Sequence, residues 1–110
     1  MTTAKDIEEL YTTEHDAYIV NLAVLKELGI GAALLLALYM DFTLNKALPD
    51  GWFLCPNKKA GLLMGFPTTA MVGRSKKTLQ KIGILKTKRK GIYELLYVDI
   101  MKMKQLIDKK

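Results

Sequence analysis

The spacing of apolar residues predicts that the second half of the chain is organised around one amphipathic helix. From Thr68 to Ile82, apolar and small residues return every three or four positions, as they do on one face of a helix. The predicted buried face consists of Met71, Val72, Ser75, Thr78, Leu79 and Ile82. Thr68 is a suitable N-cap after the turn at residues 65–67, and Gly83 suits a left-handed stop. The opposite face then turns small or cationic side chains towards solvent.

Two helices are predicted in the first half of the chain. Asn21 is expected to cap a helix that runs to Leu28 and stops at Gly29. Residues 31–43 are rich in strong helix formers and are apolar almost all round. We expect this second segment to be the buried central helix of the core, not a helix lying on a membrane.

A strand and a further helix are predicted between these two regions. Residues 52–54 are aromatic and strand-like, and a strand this short needs a partner, which a later hairpin offers. Pro56 suits the first turn of a helix that continues to Met64. Its predicted inner face consists of Ala60, Leu63 and Met64. The connection from this helix to the next is short, which is typical of a helix-turn-helix.

Beyond Gly83, the pattern changes to the alternation of a β-hairpin. Residues 85–88 alternate apolar and basic side chains, residues 89–91 are expected to form the turn, and residues 92–98 return. Asp99 is expected to cap a last helix. Its apolar stripe consists of Ile100, Met103, Leu106 and Ile107. The sequence leaves open whether this stripe packs on its own domain or forms a homodimer.

These elements divide the chain into three parts. Residues 1–20 are expected to be an N-terminal extension with a short helix, since Thr3 can cap a segment in which Ile7 and Leu10 share a face. Residues 21–98 form the main domain, and residues 99–110 form the C-terminal helix.

Charge distinguishes the two halves of the chain. The net charge is +6, but residues 1–50 carry three bases against eight acids, while residues 51–110 carry fourteen bases against three acids. Between residues 67 and 98 there are eight bases and a single acid, Glu94. Such a density of cations is costly by self-repulsion unless a polyanion is the usual neighbour. We therefore expect an anionic partner to dock on the second half.

No pattern in the sequence indicates catalysis. His15 has no second His or Cys at ligand spacing, and Cys55 has no neighbouring base, so we expect no metal site and a buried, inert thiol. Trp52, Phe53 and Phe66 are expected in the core and not as stacking surfaces for bases. Paired carboxylates, a phosphate loop and a triad are absent from the sequence. We predict a protein that is not an enzyme and needs no cofactor.

The sequence also predicts the compartment. A single cysteine excludes an intramolecular disulfide and fits a reducing environment. The first residues are polar and acidic, unlike a signal peptide. The longest uncharged apolar run, residues 30–40, is shorter than the roughly 20 residues that cross a bilayer. We expect a cytoplasmic protein with no membrane segment.

The order of the elements resembles that of a winged helix-turn-helix domain, from about Asn21 to Val98. The most telling part is the helix with Val72, Ser75 and Leu79, which continues through IGIL and is followed by a basic turn and a returning strand. The run LKELGIGAALLLALYM, followed by DGWFLCPNKKAGLLMGF, is similar to the winged-helix domains of phage and plasmid replication initiators and related regulators. The resemblance implies a mainly α fold with a small antiparallel β-hairpin. It also implies a viral or plasmid protein that acts in transcription regulation or DNA replication.

The resemblance further implies a DNA-binding site. Residues 68–82 would be the recognition helix in the major groove of double-stranded DNA, and residues 86–91 would be the wing. The groove-facing positions are Thr69, Ala70, Gly73, Arg74 and Lys77. The wing contributes Lys86, Lys88, Arg89 and Lys90, and Lys58 on the preceding helix is a further candidate for phosphate. Ala70 and Gly73 offer no side-chain hydrogen bond to a base edge, so strong sequence specificity is not expected.

Two other functions are weighed beside duplex binding. The first is a winged-helix adaptor that binds a protein partner, which the undersized Ala70 and Gly73 and the acidic first half favour. The second is binding of single-stranded DNA or RNA through the basic hairpin. The cations of the helix and the hairpin must share one exposed plane for the duplex hypothesis to hold.

Overall fold

A computed structural model of the chain describes Thr3 and residues 20–108. The elements are α1 (Leu22–Leu28), α2 (Ile30–Asn45), α3 (Asn57–Met64), α4 (Thr69–Lys81), β1 (Leu85–Lys90), β2 (Tyr93–Val98) and α5 (Ile100–Asp108). The predicted fold class is confirmed: the described chain is mostly helical, with one antiparallel hairpin, as in a winged helix. The helix expected within residues 1–20, and His15, lie outside the described residues.

Helix α2 forms the centre of the core, as its composition predicts. Its buried residues face several directions: Ala32, Ala33, Leu35, Leu36, Leu38, Tyr39 and Phe42. Helix α4 crosses it closely at Gly31, where an added Cβ would lie 2.6 Å from Ser75 Oγ. A side chain at position 31 would therefore require the Ser75 hydroxyl to move. Within residues 20–108, no helix combines the length and the apolar character that a membrane crossing requires.

The predicted helix boundaries rest on local capping, and the structure confirms them. The side chains of Asn21, Thr68 and Asp99 each accept a hydrogen bond from backbone N–H groups in the first turn of the helix that follows. Helix α4 ends just before Gly83, which has a φ of +83°. Beyond it, the backbone N–H of Ile84 donates a hydrogen bond of 3.1 Å to the carbonyl oxygen of Leu79 in the last turn of the helix. The sequence therefore defines both ends of α4.

The strand predicted at residues 52–54 finds its partner in the hairpin. The backbones of Phe53 and Leu96 exchange two hydrogen bonds of 2.8 Å in an antiparallel bridge. The Phe53 ring lies 5.5 Å from the ring of Tyr39 and 5.7 Å from that of Phe42, measured between centroids. These contacts attach the hairpin to α2 through β2.

The predicted inner face of α3 was partly wrong. Ala60 is buried, but Leu63 is 47% exposed and Gly61 takes the inner position instead. A Cβ at Gly61 would lie 3.5 Å from a methyl group of Val72. Gly61 therefore lies at the contact between α3 and α4, whereas Leu63 turns outwards.

The predicted turn of the hairpin was also misplaced. Arg89 and Lys90 belong to β1 and pair with Glu94 and Tyr93, so the connection is only the two residues 91 and 92. Gly91 has a φ of +66°, which suits a two-residue hairpin turn. The longer ladder makes Arg89 and Lys90 strand residues whose side chains alternate.

The apolar stripe of α5 is used within the domain. Met103, Leu106 and Ile107 are partly buried and pack against the core, whereas Ile100 is 37% exposed. Of the two alternatives for the stripe, packing on its own domain is therefore observed. A homodimer through the same residues stays a prediction.

Candidate nucleic-acid interface

The exposed face of α4 carries three cations in a narrow arc. Ala70, Arg74, Lys77 and Lys81 are all exposed. At about 100° per residue they fall within about 60° of one another around the helix axis. The arc lies opposite Val72 and Leu79, the two residues of α4 that are fully buried in the core. Small and positive groups therefore project together from one side of the helix.

Two of the predicted groove-facing positions flank this arc. Thr69 is exposed, and Gly73 is half-buried. An added Cβ at Gly73 would meet nothing within 4 Å. The glycine is therefore not required by packing among the described residues.

Lys76 is one of the eight bases between residues 67 and 98, but it is not exposed. It is 8% exposed, and its ammonium group donates to Glu94 Oε1 and, at 3.2 Å, to Asn57 Oδ1. A lysine is rarely buried without a paired charge, and here the partner lies on β2, far along the chain. Glu94 is the lone acid between residues 67 and 98, and that isolation is the signal that could have revealed the pair.

The pairing register divides the hairpin into two faces, because residues opposite each other in an antiparallel ladder project to the same side. The inner face, which turns towards α4, consists of Leu85, Thr87, Arg89, Glu94, Leu96 and Val98. The outer face consists of Lys86, Lys88, Lys90, Tyr93, Leu95 and Tyr97. The Lys76–Glu94 pair and a 3.5 Å contact from Gln80 Nε2 to Thr87 Oγ1 confirm which face meets α4.

This division corrects the picture of one cationic plane. Arg89 shares the inner face with Glu94, on the side of α4. Lys86, Lys88 and Lys90 project from the opposite face. The reason is the longer ladder, since alternation sends neighbouring strand residues to opposite sides. The condition set for duplex binding is therefore met only by α4 and Arg89, which can form one surface, whereas the three lysines belong to another.

Contacts on the outer face confirm the orientation of Lys88. The Lys88 ammonium lies 4.2 Å from the centroid of the Trp52 ring. The ring of Trp52 in turn lies 5.3 Å from that of Tyr97. Trp52 is half-buried on this face, so its predicted place in the core was only partly right, whereas Phe53 is fully buried.

Acidic side chains do little to neutralise the surface formed by α4 and Arg89. Among residues 20–108 the ion pairs are Lys76–Glu94 and, at 3.3 Å, Lys86–Asp99. In that part of the chain Arg74, Lys77 and Arg89 have no carboxylate partner. Glu94, the acid nearest to them on the hairpin, is already paired with a lysine of α4. The positive field of the surface is therefore not cancelled from within.

The surroundings of Asp99 lower the pKa of its carboxyl group. The backbone N–H of Lys102 donates to its carboxylate, and Lys86 adds an ion pair, so the pKa of Asp99 falls below its ordinary value of 3.8. The carboxylate thus caps α5 while it holds Lys86 at the base of the hairpin.

Lys58 and Cys55 complete the set of predicted residues. Lys58 is exposed on the first turn of α3, and its neighbour Lys59 lies 5.4 Å over the Phe42 ring. Cys55 is buried as predicted, and burial raises the pKa of its thiol, which disfavours the reactive thiolate. Within the described residues, no three His, Cys, Asp or Glu side chains come together as metal ligands would.

A solved structure described as "N-Terminal domain of DNA binding protein" has a similar fold. It aligns with a TM-score of 0.62 and 17% sequence identity, over 100% of this chain and 96% of that chain. At this identity the likeness shows a shared fold. No protein-family model matches the sequence. No curated protein matches it either.

Proposed function

We propose that this protein binds double-stranded DNA, as a transcriptional regulator or a replication-associated factor. The observation that carries the proposal is the exposed cationic arc of α4 beside the inner face of the hairpin. The major groove of DNA is wide enough for an α-helix, and the flanking cations can meet phosphates on either side. The similar fold of a domain from a DNA-binding protein supports the same conclusion.

The residue types on α4 favour binding that tolerates many sequences. Arg74 and Lys77 are the long donors of the arc, while Ala70 and Gly73 offer no hydrogen bond to a base edge. Small groups on that side let the helix backbone approach the groove. Arg89 on the inner face then contacts a phosphate beside the groove. Most of the affinity is expected to be electrostatic and therefore salt-dependent.

Paired charge reversals test this assignment. Arg74→Glu combined with Arg89→Glu removes one cation from each part of the surface and adds two repulsive charges. Affinity for a duplex of about two helical turns is measured by fluorescence anisotropy at several salt concentrations. We expect the double variant to lose binding at moderate salt. For the wild type, the logarithm of the affinity should fall with the logarithm of the salt concentration by about 0.9 for each phosphate contact, with a total that corresponds to several contacts.

A second pair of reversals provides the matched control. Lys26→Glu with Lys104→Glu changes the net charge equally, but these exposed lysines lie on α1 and α5. This variant should keep duplex affinity within a few-fold of the wild type. Equal loss in both double variants would mean that only overall charge matters, and unchanged affinity in the first would reject duplex binding through this surface.

Gly73→Ala separates a functional role of the glycine from a neutral one. The structure has room for the methyl group, so helix propensity should stabilise the fold by about 1 kcal/mol. If the helix backbone approaches DNA at this position, duplex affinity falls although stability rises. Unchanged affinity with raised stability would place Gly73 outside the contact.

A further inference from the structure

The outer face of the hairpin combines aromatic rings with cations and is separate from the surface proposed for the duplex. Its six strand residues are Lys86, Lys88, Lys90, Tyr93, Leu95 and Tyr97. Trp52 joins them from the neighbouring strand segment through its contacts with Lys88 and Tyr97. This face turns away from α4, because Thr87 and Glu94, which contact that helix, belong to the other side.

The rings of this face are accessible to a flat ligand. Tyr93 is 54% exposed near the tip of the hairpin. Trp52 and Tyr97 are half-buried and stack at a tilt of 40°, with the Lys88 ammonium placed over the indole. A cation held over an aromatic face occupies a position that a nucleobase can take once the lysine swings to a phosphate.

The charge of the face is one-sided. Among the side chains that the two strands direct outwards, all the ionisable groups apart from tyrosines are lysines. Two carboxylates lie at its margins: Asp99 is paired with Lys86, and Asp50 accepts a hydrogen bond from the backbone N–H of Trp52. Lys88 and Lys90 therefore present uncompensated positive charge beside the rings, within residues 20–108.

The geometry also fits an extended chain. Lys88 and Lys90 are two residues apart on one strand, so their Cα atoms are separated by about 6.7 Å. That spacing suits successive phosphates of a stretched strand, while the rings across the sheet face its bases. A duplex cannot use these rings, because its bases are stacked and paired inside the helix.

We propose that the outer face of the hairpin binds single-stranded DNA, with bases stacked on Tyr93 and Trp52 and phosphates held by Lys88 and Lys90. The choice of DNA over RNA rests on the proposed duplex binding, since an opened duplex supplies a single strand next to the protein. The binding surface itself stands on the register and contacts of the outer face and does not depend on α4.

The tryptophan provides a direct measurement, because Trp52 is the only one in the sequence. The full chain is titrated with an oligothymidylate of about 16 nucleotides, and the fluorescence of Trp52 is followed. We expect saturable quenching that weakens with salt. Tyr93→Ala should lower the affinity about tenfold, as expected for the loss of one stacked base. This ring is exposed at the hairpin tip, so its removal leaves the fold intact, as circular dichroism would verify.

Two neighbouring cations supply the matched control. Lys90→Ala and Arg89→Ala each remove one positive charge from adjacent residues, but Lys90 faces outwards and Arg89 faces α4. We expect Lys90→Ala to weaken oligothymidylate binding about threefold or more while duplex affinity is kept, and Arg89→Ala to show the reverse. Equal effects of the two variants on both ligands would overturn the assignment of two surfaces.

The remaining outcomes separate this proposal from that of duplex binding. Oligothymidylate binding that survives Arg74→Glu/Arg89→Glu supports the outer face, even if no duplex binding is found. Absence of quenching, or quenching unaffected by Tyr93→Ala, rejects it. Oligouridylate binding more than about tenfold tighter than oligothymidylate binding would show that the ligand is RNA and overturn the assignment to DNA.

Discussion

The two faces of the hairpin differ although their residues, six on each face, alternate along the same two strands. The inner face is fixed to α4 by a buried ion pair and closes the core with Leu85, Leu96 and Val98. The outer face has three lysines, two tyrosines and a single buried leucine, Leu95. Alternation alone produces this contrast. A cluster of consecutive cations on a strand therefore becomes two surfaces with separate uses.

The largest expected difference between the faces concerns two adjacent leucines. Leu96→Ala on the inner face should cost about 3 kcal/mol, because the side chain is 1% exposed and belongs to the core. Leu95→Ala on the outer face should cost roughly half of that, since Leu95 is 8% exposed and lies outside the central cluster. Urea unfolding measures both. Equal costs would contradict the division into faces.

A smaller and asymmetric effect is expected at the buried pair. Glu94→Ala leaves the Lys76 ammonium buried with only Asn57 Oδ1, and should cost about 2 kcal/mol, less than a fully buried pair because Glu94 is 40% exposed. Lys76→Met leaves a carboxylate that solvent can reach, and should cost less than about 1 kcal/mol.

A double-mutant cycle with both changes isolates the coupling between the two residues. The double variant should be more stable than Glu94→Ala alone, since no charge is then left buried. If Lys76→Met proves the more damaging single change, the burial of Lys76 has been misjudged and the inner face is held by something else.

The outer face should respond to acid through Asp99. The pKa of this carboxyl is lowered in the folded protein, so its contribution to stability is present above 3.8 and is lost as the pH falls through the lowered value. Asp99→Asn keeps a capping side chain but removes the charge that pairs with Lys86. Unfolding curves of the variant should therefore depend less on pH below about 4. The same acid dependence in both proteins would exclude Asp99 as its source.

The smallest effect is expected at the ring of Trp52. Lys88→Met removes the charge over the indole while keeping most of the aliphatic chain, and should cost about 0.5 kcal/mol. The emission of Trp52 should change, because the ammonium no longer lies over the ring. Lys90→Met, one step along the same face, is the control and should leave the emission unaltered. A change of equal size in both variants would indicate a general charge effect.

Local signals were enough to predict the elements of this fold. The caps at Asn21, Thr68 and Asp99, the apolar α2 and the stop at Gly83 are each encoded within a few residues, and the structure confirms them. These features depend on hydrogen bonds between near neighbours in sequence, so the pattern contains them.

What the sequence did not predict depends on contacts between distant residues. The burial of Lys76 requires Glu94, which comes from another element, and the inward position of Gly61 depends on how α3 packs against Val72 of α4. The opposite directions of Arg89 and Lys90 follow from the length of the ladder. The sequence pattern predicts the turn two residues too early and therefore does not indicate that these two residues are part of the strand. That α4 and β1 carry exposed cations was thus predictable, but the division of these cations into two surfaces was not.

The position of β1 at the border of the sheet has a consequence for solubility. Within the described residues β2 lies between β1 and Phe53, so the other side of β1 exposes unpaired backbone groups. Four of the six residues of β1 are cations, and such charges keep the borders of two copies from pairing. A bound polyanion neutralises that repulsion. If the protein binds nucleic acid as proposed, copies crowded on it would lose this protection against strand-to-strand association.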